Sequence, residues 1–287
     1  FVAWRTYRLF VSKDLSLYQF NLKNSGKITR AGSIFLALSL VWIGLTAHSG
    51  WIRYHEWKGA NAFEAVHLPD EVALAQANPA QWLSPADKQN IAAGRAHLST
   101  ARNSGLFTNV QALSKLAWLE YLGGDAQKAT ATLADASAHE HGAAKALADY
   151  YRGAILNRTG KHAEAITSLD AALKERPDLT LALEQKGEAL WSLGRQKDAF
   201  DTWSKAVSDN PGLPLANAFL AGAAKAAGDD SLAAGFQARA DQLTPNDPLF
   251  HWMLGMRLKS AGMDELAEPH FARAIEMNPK FRAARRS

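Results

Sequence analysis

Between Arg30 and Arg53 the chain runs 22 residues, AGSIFLALSLVWIGLTAHSGWI, without a formal charge. A helix of that length at ~1.5 Å per residue covers ~33 Å, close to one hydrocarbon core. The pattern predicts a transmembrane helix over residues 31–52. A buried core helix is the alternative, but soluble helices rarely run so far without a charge. Trp51, Tyr54 and Trp57 follow at once, aromatic side chains of the kind that settle at headgroup level. Ahead of the span, Phe1, Trp4, Tyr7 and Phe10 recur every third residue, with Arg5 and Arg8 between them. That spacing predicts an amphipathic helix within residues 1–30 that sets Trp4, Tyr7 and Arg8 on an anionic membrane surface or against an integral partner. Residues 53–83 contain Pro69 and Pro79 and hold no sustained apolar period, so they read as a juxtamembrane linker with at most a turn of helix. Ser84 followed by Pro85 is a helix start, a capping hydroxyl with proline at the first position. It opens a lead-in helix within residues 84–109 that Asn103-Ser104-Gly105 should end.

From residue 110 the pattern repeats. Gly124, Gly160, Gly194, Gly228 and Gly262 are 36, 34, 34 and 34 residues apart. Alanines stand at fixed offsets after them, at Ala129, Ala165, Ala199, Ala233 and Ala267, and again at Ala136, Ala172, Ala206, Ala240 and Ala274. Pro177, Pro211, Pro245 and Pro279 close the last four units, and Gly153, Gly187, Ala221 and Gly255 precede the period glycines. Two helices that cross closely need small residues where they approach. The glycine between them takes the left-handed conformation that ends the first helix, and proline ends the second.

A helix–turn–helix unit of this period resembles the tetratricopeptide repeat. The resemblance covers residues 110–281 in about five units and implies an all-α solenoid preceded by a single transmembrane helix. The family's large second-helix position holds Leu133, Leu169, Trp203 and Phe271, whereas the fourth unit has Gln237 there. In such arrays the first helices line a concave groove that binds protein segments. Carried over position by position, the resemblance places Trp118, Tyr121, Tyr150, Asn157, Glu184, Glu188, Trp191, Lys225, Trp252, Met256 and Lys259 on that face. Aromatics with a few charges suit an apolar helix or extended segment. The lysine and asparagine set with which chaperone-binding members clamp a carboxylate terminus is missing. Residues 282–287 form a basic tail, and the array lacks the polar capping helix such solenoids end on. Either a partner covers Pro279 or further chain follows, and Trp252 and Met256 near that end should be partly accessible.

Charge sharpens the topology. The formal +4 is a sum over unlike regions: residues 1–30 carry six basic groups against Asp14 alone, and Lys280, Arg282, Arg285 and Arg286 crowd the carboxy end. The long middle is mildly acidic. A nucleic-acid binder carries its basic stripe on the folded domain, and this chain does not. Four basic residues flank the span on its amino side against two on the other, which predicts a cytoplasmic amino end and repeats outside the cytoplasm. The 30 residues ahead of the span are long for the charged region of a cleaved leader, so the segment reads as an anchor.

No cysteine is present, which excludes disulfides, thiolate metal sites and cysteine nucleophiles. There is no phosphate-binding glycine loop, no HExxH and no GxSxG. His139-Glu140-His141 offers two nitrogens without a third ligand, and reads as a surface turn. Glu184 and Glu188 lie one helical turn apart, as a carboxylate pair does, but on a recognition scaffold. No cofactor or catalytic residue is expected. The chain reads as a non-catalytic adaptor, an accessory subunit of an inner-membrane or envelope complex whose partners are membrane-complex proteins and lipids. The alternatives are a receptor for targeting segments with its repeats in the cytosol, and a metal-dependent hydrolase.

Overall fold

The computed structural model describes residues 1–76, 78–106 and 109–279. The basic tail expected over 282–287 lies outside the described residues. Helix α1 (Val2–Val11) leads into three short antiparallel strands, β1 (Leu15–Leu17), β2 (Phe20–Asn24) and β3 (Lys27–Ile28), ordered β1-β2-β3. Leu9, Leu15 and Leu22 are buried between them against Ala31, Phe35 and Leu36 of the next helix. The amphipathic helix is present, with Trp4, Tyr7 and Arg8 exposed. The strands behind it were not expected. Their signal is Asn24-Ser25-Gly26, where Ser25 and Gly26 both take positive φ in a tight turn.

Helix α2 (Arg30–Glu64) is 35 residues long. Thr29 caps it, its hydroxyl accepting from the Gly32 amide. The helix is long and apolar enough to cross a membrane, and only 11% of its most apolar window is buried. Ile34, Leu38, Leu40, Val41, Trp42 and Leu45 all face outward.

The expected linker over 53–83 is corrected in two ways. First, α2 continues unbroken through Glu64, because its second half packs along α4 and residues 53–64 contain no proline to end it. Second, the rest of the linker is packed rather than solvent-borne. Helix α4 (Pro85–Ser104) runs back along the second half of α2, with Ser84 and Asp87 forming a complete capping box. The two helices meet at glycines. A methyl group on Gly59 would stand 2.5 Å from Leu98 Cγ, and one on Gly94 would stand 3.4 Å from Ala62 Cβ. His48 Nε2 meets the Ser104 carbonyl oxygen at 2.9 Å, and Asn109 Nδ2 donates to Glu56 at 2.8 Å.

Five helix pairs follow: α5 (Val110–Leu122) with α6 (Ala126–Ala138), α7 (Gly142–Arg158) with α8 (His162–Glu175), α9 (Thr180–Ser192) with α10 (Gln196–Asp209), α11 (Pro214–Ala226) with α12 (Asp230–Leu243), and α13 (Pro248–Ser260) with α14 (Asp264–Met277). This is the all-α solenoid the period predicts. All five period glycines carry φ between 73° and 87°, the left-handed turn that side chains resist. The extra residues after the first pair are absorbed at Gly142, which also has positive φ.

Candidate partner-binding groove

The sequence between α2 and α4 packs against the first helices α5, α7, α11 and α13. After Pro69 the chain makes one turn of helix, α3 (Asp70–Ala73), and then a 3-10 turn at Pro79–Trp82. The last carbonyls of so short a helix have no partner within it. Tyr121, on α5, supplies one: its hydroxyl lies 2.9 Å from both the Ala73 and Gln76 carbonyl oxygens. Tyr151, on α7, donates to Asp70 Oδ2 at 2.6 Å. Burial pushes the Asp70 carboxyl up, with the Tyr151 hydrogen bond opposing. Gln76 Oε1 accepts from Gln81 Nε2 and Trp82 Nε1, which folds the loop on itself.

Apolar packing extends these bonds over the whole array. Ala73, Leu74 and Leu83 join the core of the first pair beside Leu113, Leu116 and Trp118. Val72 and Ala75 join the core of the last pairs beside Ala218 and Trp252. The Trp82 and Trp252 rings stand 4.6 Å apart. Fully burying side chains such as Val72 and Leu74 stabilises by about 1.5–3 kcal/mol each, so this is a well-held loop.

Behind the loop the array closes on itself through a buried ionic cluster. Glu188 (α9) accepts from Arg257 Nε (α13) at 2.6 Å and pairs with Arg158 (α7) through its other oxygen. Arg158 also donates to Ser260 Oγ at 3.0 Å, and Trp191 Nε1 donates to the Ala261 carbonyl at 2.8 Å. Asn157 Nδ2 donates to the Gln185 carbonyl, and His162 Nδ1 lies 2.7 Å from Asn157 Oδ1. These bonds tie the second and third pairs to the fifth. Glu184 is buried nearby, its carboxyl pushed up to about 7 by burial, with Arg257 opposing and Glu188 adding to the rise. A charge removed from water demands such pairing.

The expected groove residues are therefore gathered, but mostly under cover. Trp118, Tyr121, Tyr150, Asn157, Glu184, Glu188 and Trp252 are buried; Trp191 and Met256 are half-buried. Trp252, expected to be partly accessible, is 1% exposed because Trp82 lies against it, and that expectation is corrected. Lys225 and Lys259 remain exposed, Lys225 paired with Glu265 and Lys259 over the Phe271 ring. Sequence reasoning missed the loop itself and both arginines. The loop's signal was the apolar run Val72-Ala73-Leu74-Ala75 between two prolines. The signal for Arg158 was its place next to Asn157 on the groove-facing side of its unit.

His139-Glu140-His141 forms a turn, with His139 Nδ1 at 2.8 Å from the Asp135 carbonyl. Among the described residues no group of three or more potential ligands is placed to hold a metal ion. Trp51, Tyr54 and Trp57 are exposed on α2, with Lys58 over the Tyr54 and Trp57 rings.

The model of the family described as "Tetratricopeptide repeat-like domain" matches residues 33–234. The crystal structure of MamA is similar at 19% identity and TM-score 0.50, covering 56% of this chain and 95% of that one. Pseudomonas aeruginosa pilF is similar at 12% identity and TM-score 0.53, covering 84% of this chain and 97% of that one. At these identities the likeness is one of fold. No curated protein matches the chain significantly.

Proposed function

We propose that this chain, which belongs to the tetratricopeptide repeat-like domain family, is a membrane-anchored scaffold serving an inner-membrane or envelope complex. The tetratricopeptide-like fold supports a role in binding proteins. The observation that carries the reading is α2: one half is apolar and mostly exposed beyond its start, and the other half is locked into the repeat domain by α4. Such a helix is a rigid mount. The amino-terminal module sits at its start, with exposed aromatics and arginines suited to an anionic headgroup layer. Four basic residues before the span against two after it favour repeats on the periplasmic side.

A chain without cysteine gives a clean test. Single variants Ser25→Cys, in the strand turn, and Ser231→Cys, at the start of α12, are treated with a membrane-impermeant maleimide in sealed cells. Ser231→Cys should react at once and Ser25→Cys only after permeabilisation. The reverse order would put the repeats in the cytosol, as in a receptor for targeting segments. Reaction of both before permeabilisation would remove the span. For the subunit role, gently solubilised protein should bring down stoichiometric partners, and a stable partner-free monomer would overturn it.

A further inference from the structure

We propose that the loop over residues 66–83 is a cis-ligand of the groove, displaced by a partner segment of the same chemistry. The inference rests on the scaffold reading but not on membrane anchoring. Three observations lead to it.

The first is topological. Both ends of the loop belong to the α2–α4 pair, which is held by its own contacts at Gly59 and Gly94. The loop can therefore leave without unzipping either helix or any repeat. The second is the nature of the bonds. Among its described residues the loop shares no ladder of backbone hydrogen bonds with the array; it is held by the hydroxyls of Tyr121 and Tyr151 and by side-chain packing. Those are latches a competing segment can take over one for one. The third is a polar latch at the head of the loop, where the Tyr151 hydroxyl donates to Asp70 Oδ2 at 2.6 Å.

The occupant thus describes the ligand. It carries a carboxylate at the head of one helical turn, then consecutive small and aliphatic residues matching Val72 to Ala75. An indole follows about ten residues on, to meet Trp252 as Trp82 does. Engagement exchanges one segment for another, so the apolar wall is never left bare to water.

The test uses the full chain in detergent micelles and a labelled peptide of residues 66–83, with a scrambled peptide as control. In the variant Val72→Asp with Leu74→Asp the loop no longer fits, and the peptide should bind at least tenfold more tightly than to the unaltered chain. Equal binding to both, or none to a variant of unchanged helicity, overturns the proposal. Native-state hydrogen exchange keeps it open to refutation if that variant fails to fold. Loop amides should exchange at least tenfold faster than those of α9, and Tyr121→Phe should speed the loop alone. Loop protection equal to that of α9, unmoved by Tyr121→Phe, would make the loop a permanent part of the core and sink the idea. Copurifying partners together with such a result would leave the scaffold standing and remove only the exchange.

Discussion

Gly153, Gly187 and Gly255 each lie beneath the large side chain sixteen positions on, Leu169, Trp203 and Phe271. A Cβ on Gly153 would come within 2.6 Å of Leu169, and one on Gly255 within 2.7 Å of Phe271. In the fourth pair both members differ together, Ala221 with Gln237, so the rule is a pairing and not a preference for glycine alone. Gly187→Ala should lose about 1–3 kcal/mol by overpacking against the buried Trp203, read as a lower urea midpoint; Gly187→Ala combined with Trp203→Leu should cost less than the two separate losses added. Glu184 gives a pH signature. Its carboxyl titrates at about 7 when folded against 4.5 otherwise, so between those values the folded chain keeps a proton the unfolded chain has lost. That stabilisation is whole below about pH 4.5 and is lost as pH rises through 7, an effect of order 3 kcal/mol. Glu184→Gln should leave the urea midpoint at pH 4 unchanged and raise it at pH 8. His270 works in the opposite sense: burial lowers it to about 4, so its contribution is present above 6.5 and fades as pH falls through 4. Equal midpoint shifts for Glu184→Gln at both pH values would refute the assignment.

At the scale of elements, what was legible follows from where the information sits. Each repeat turn is encoded locally, by one glycine and the alanines at fixed offsets, so the five pairs could be read without knowing what they touch. The long apolar helix was legible because absence of charge over 22 residues is itself local. The end of α2 was not, because its second half is neither apolar throughout nor amphipathic against solvent; it is specified by α4, whose Gly94 and Leu98 receive it. The loop was hidden for the same reason, since the meaning of Val72 and Leu74 lies in Trp118 and Trp252, far along the chain. Gly59→Val should part the helix pair. It is expected to lower stability by about 1–3 kcal/mol and to speed amide exchange over residues 55–64 while leaving that over 264–277 unchanged. Uniform acceleration across the chain would mean that the pair and the repeats unfold as one.

For the whole molecule, the long apolar helix α2, the repeat array and the packed loop combine into a single body. The ionic cluster around Glu188 joins pairs that are far apart in sequence, so Glu188→Ala leaves Arg158 and Arg257 buried without their partner. The expected cost is about 3–5 kcal/mol, visible as loss of the cooperative thermal transition near its normal temperature, and a change below about 1 kcal/mol would show that the cluster relaxes into water. The unbroken helix α2 has a further consequence, which is one of phase. With 3.6 residues per turn, adding one residue near Gly44 turns the repeats by about 100° relative to the amino-terminal module, adding two turns them to nearly the opposite side, and adding seven almost restores the bearing. Assembly with a partner that grips both ends should therefore fall and recover with the number of inserted residues, as the pitch of a screw thread would dictate. Length alone would give a steady decline.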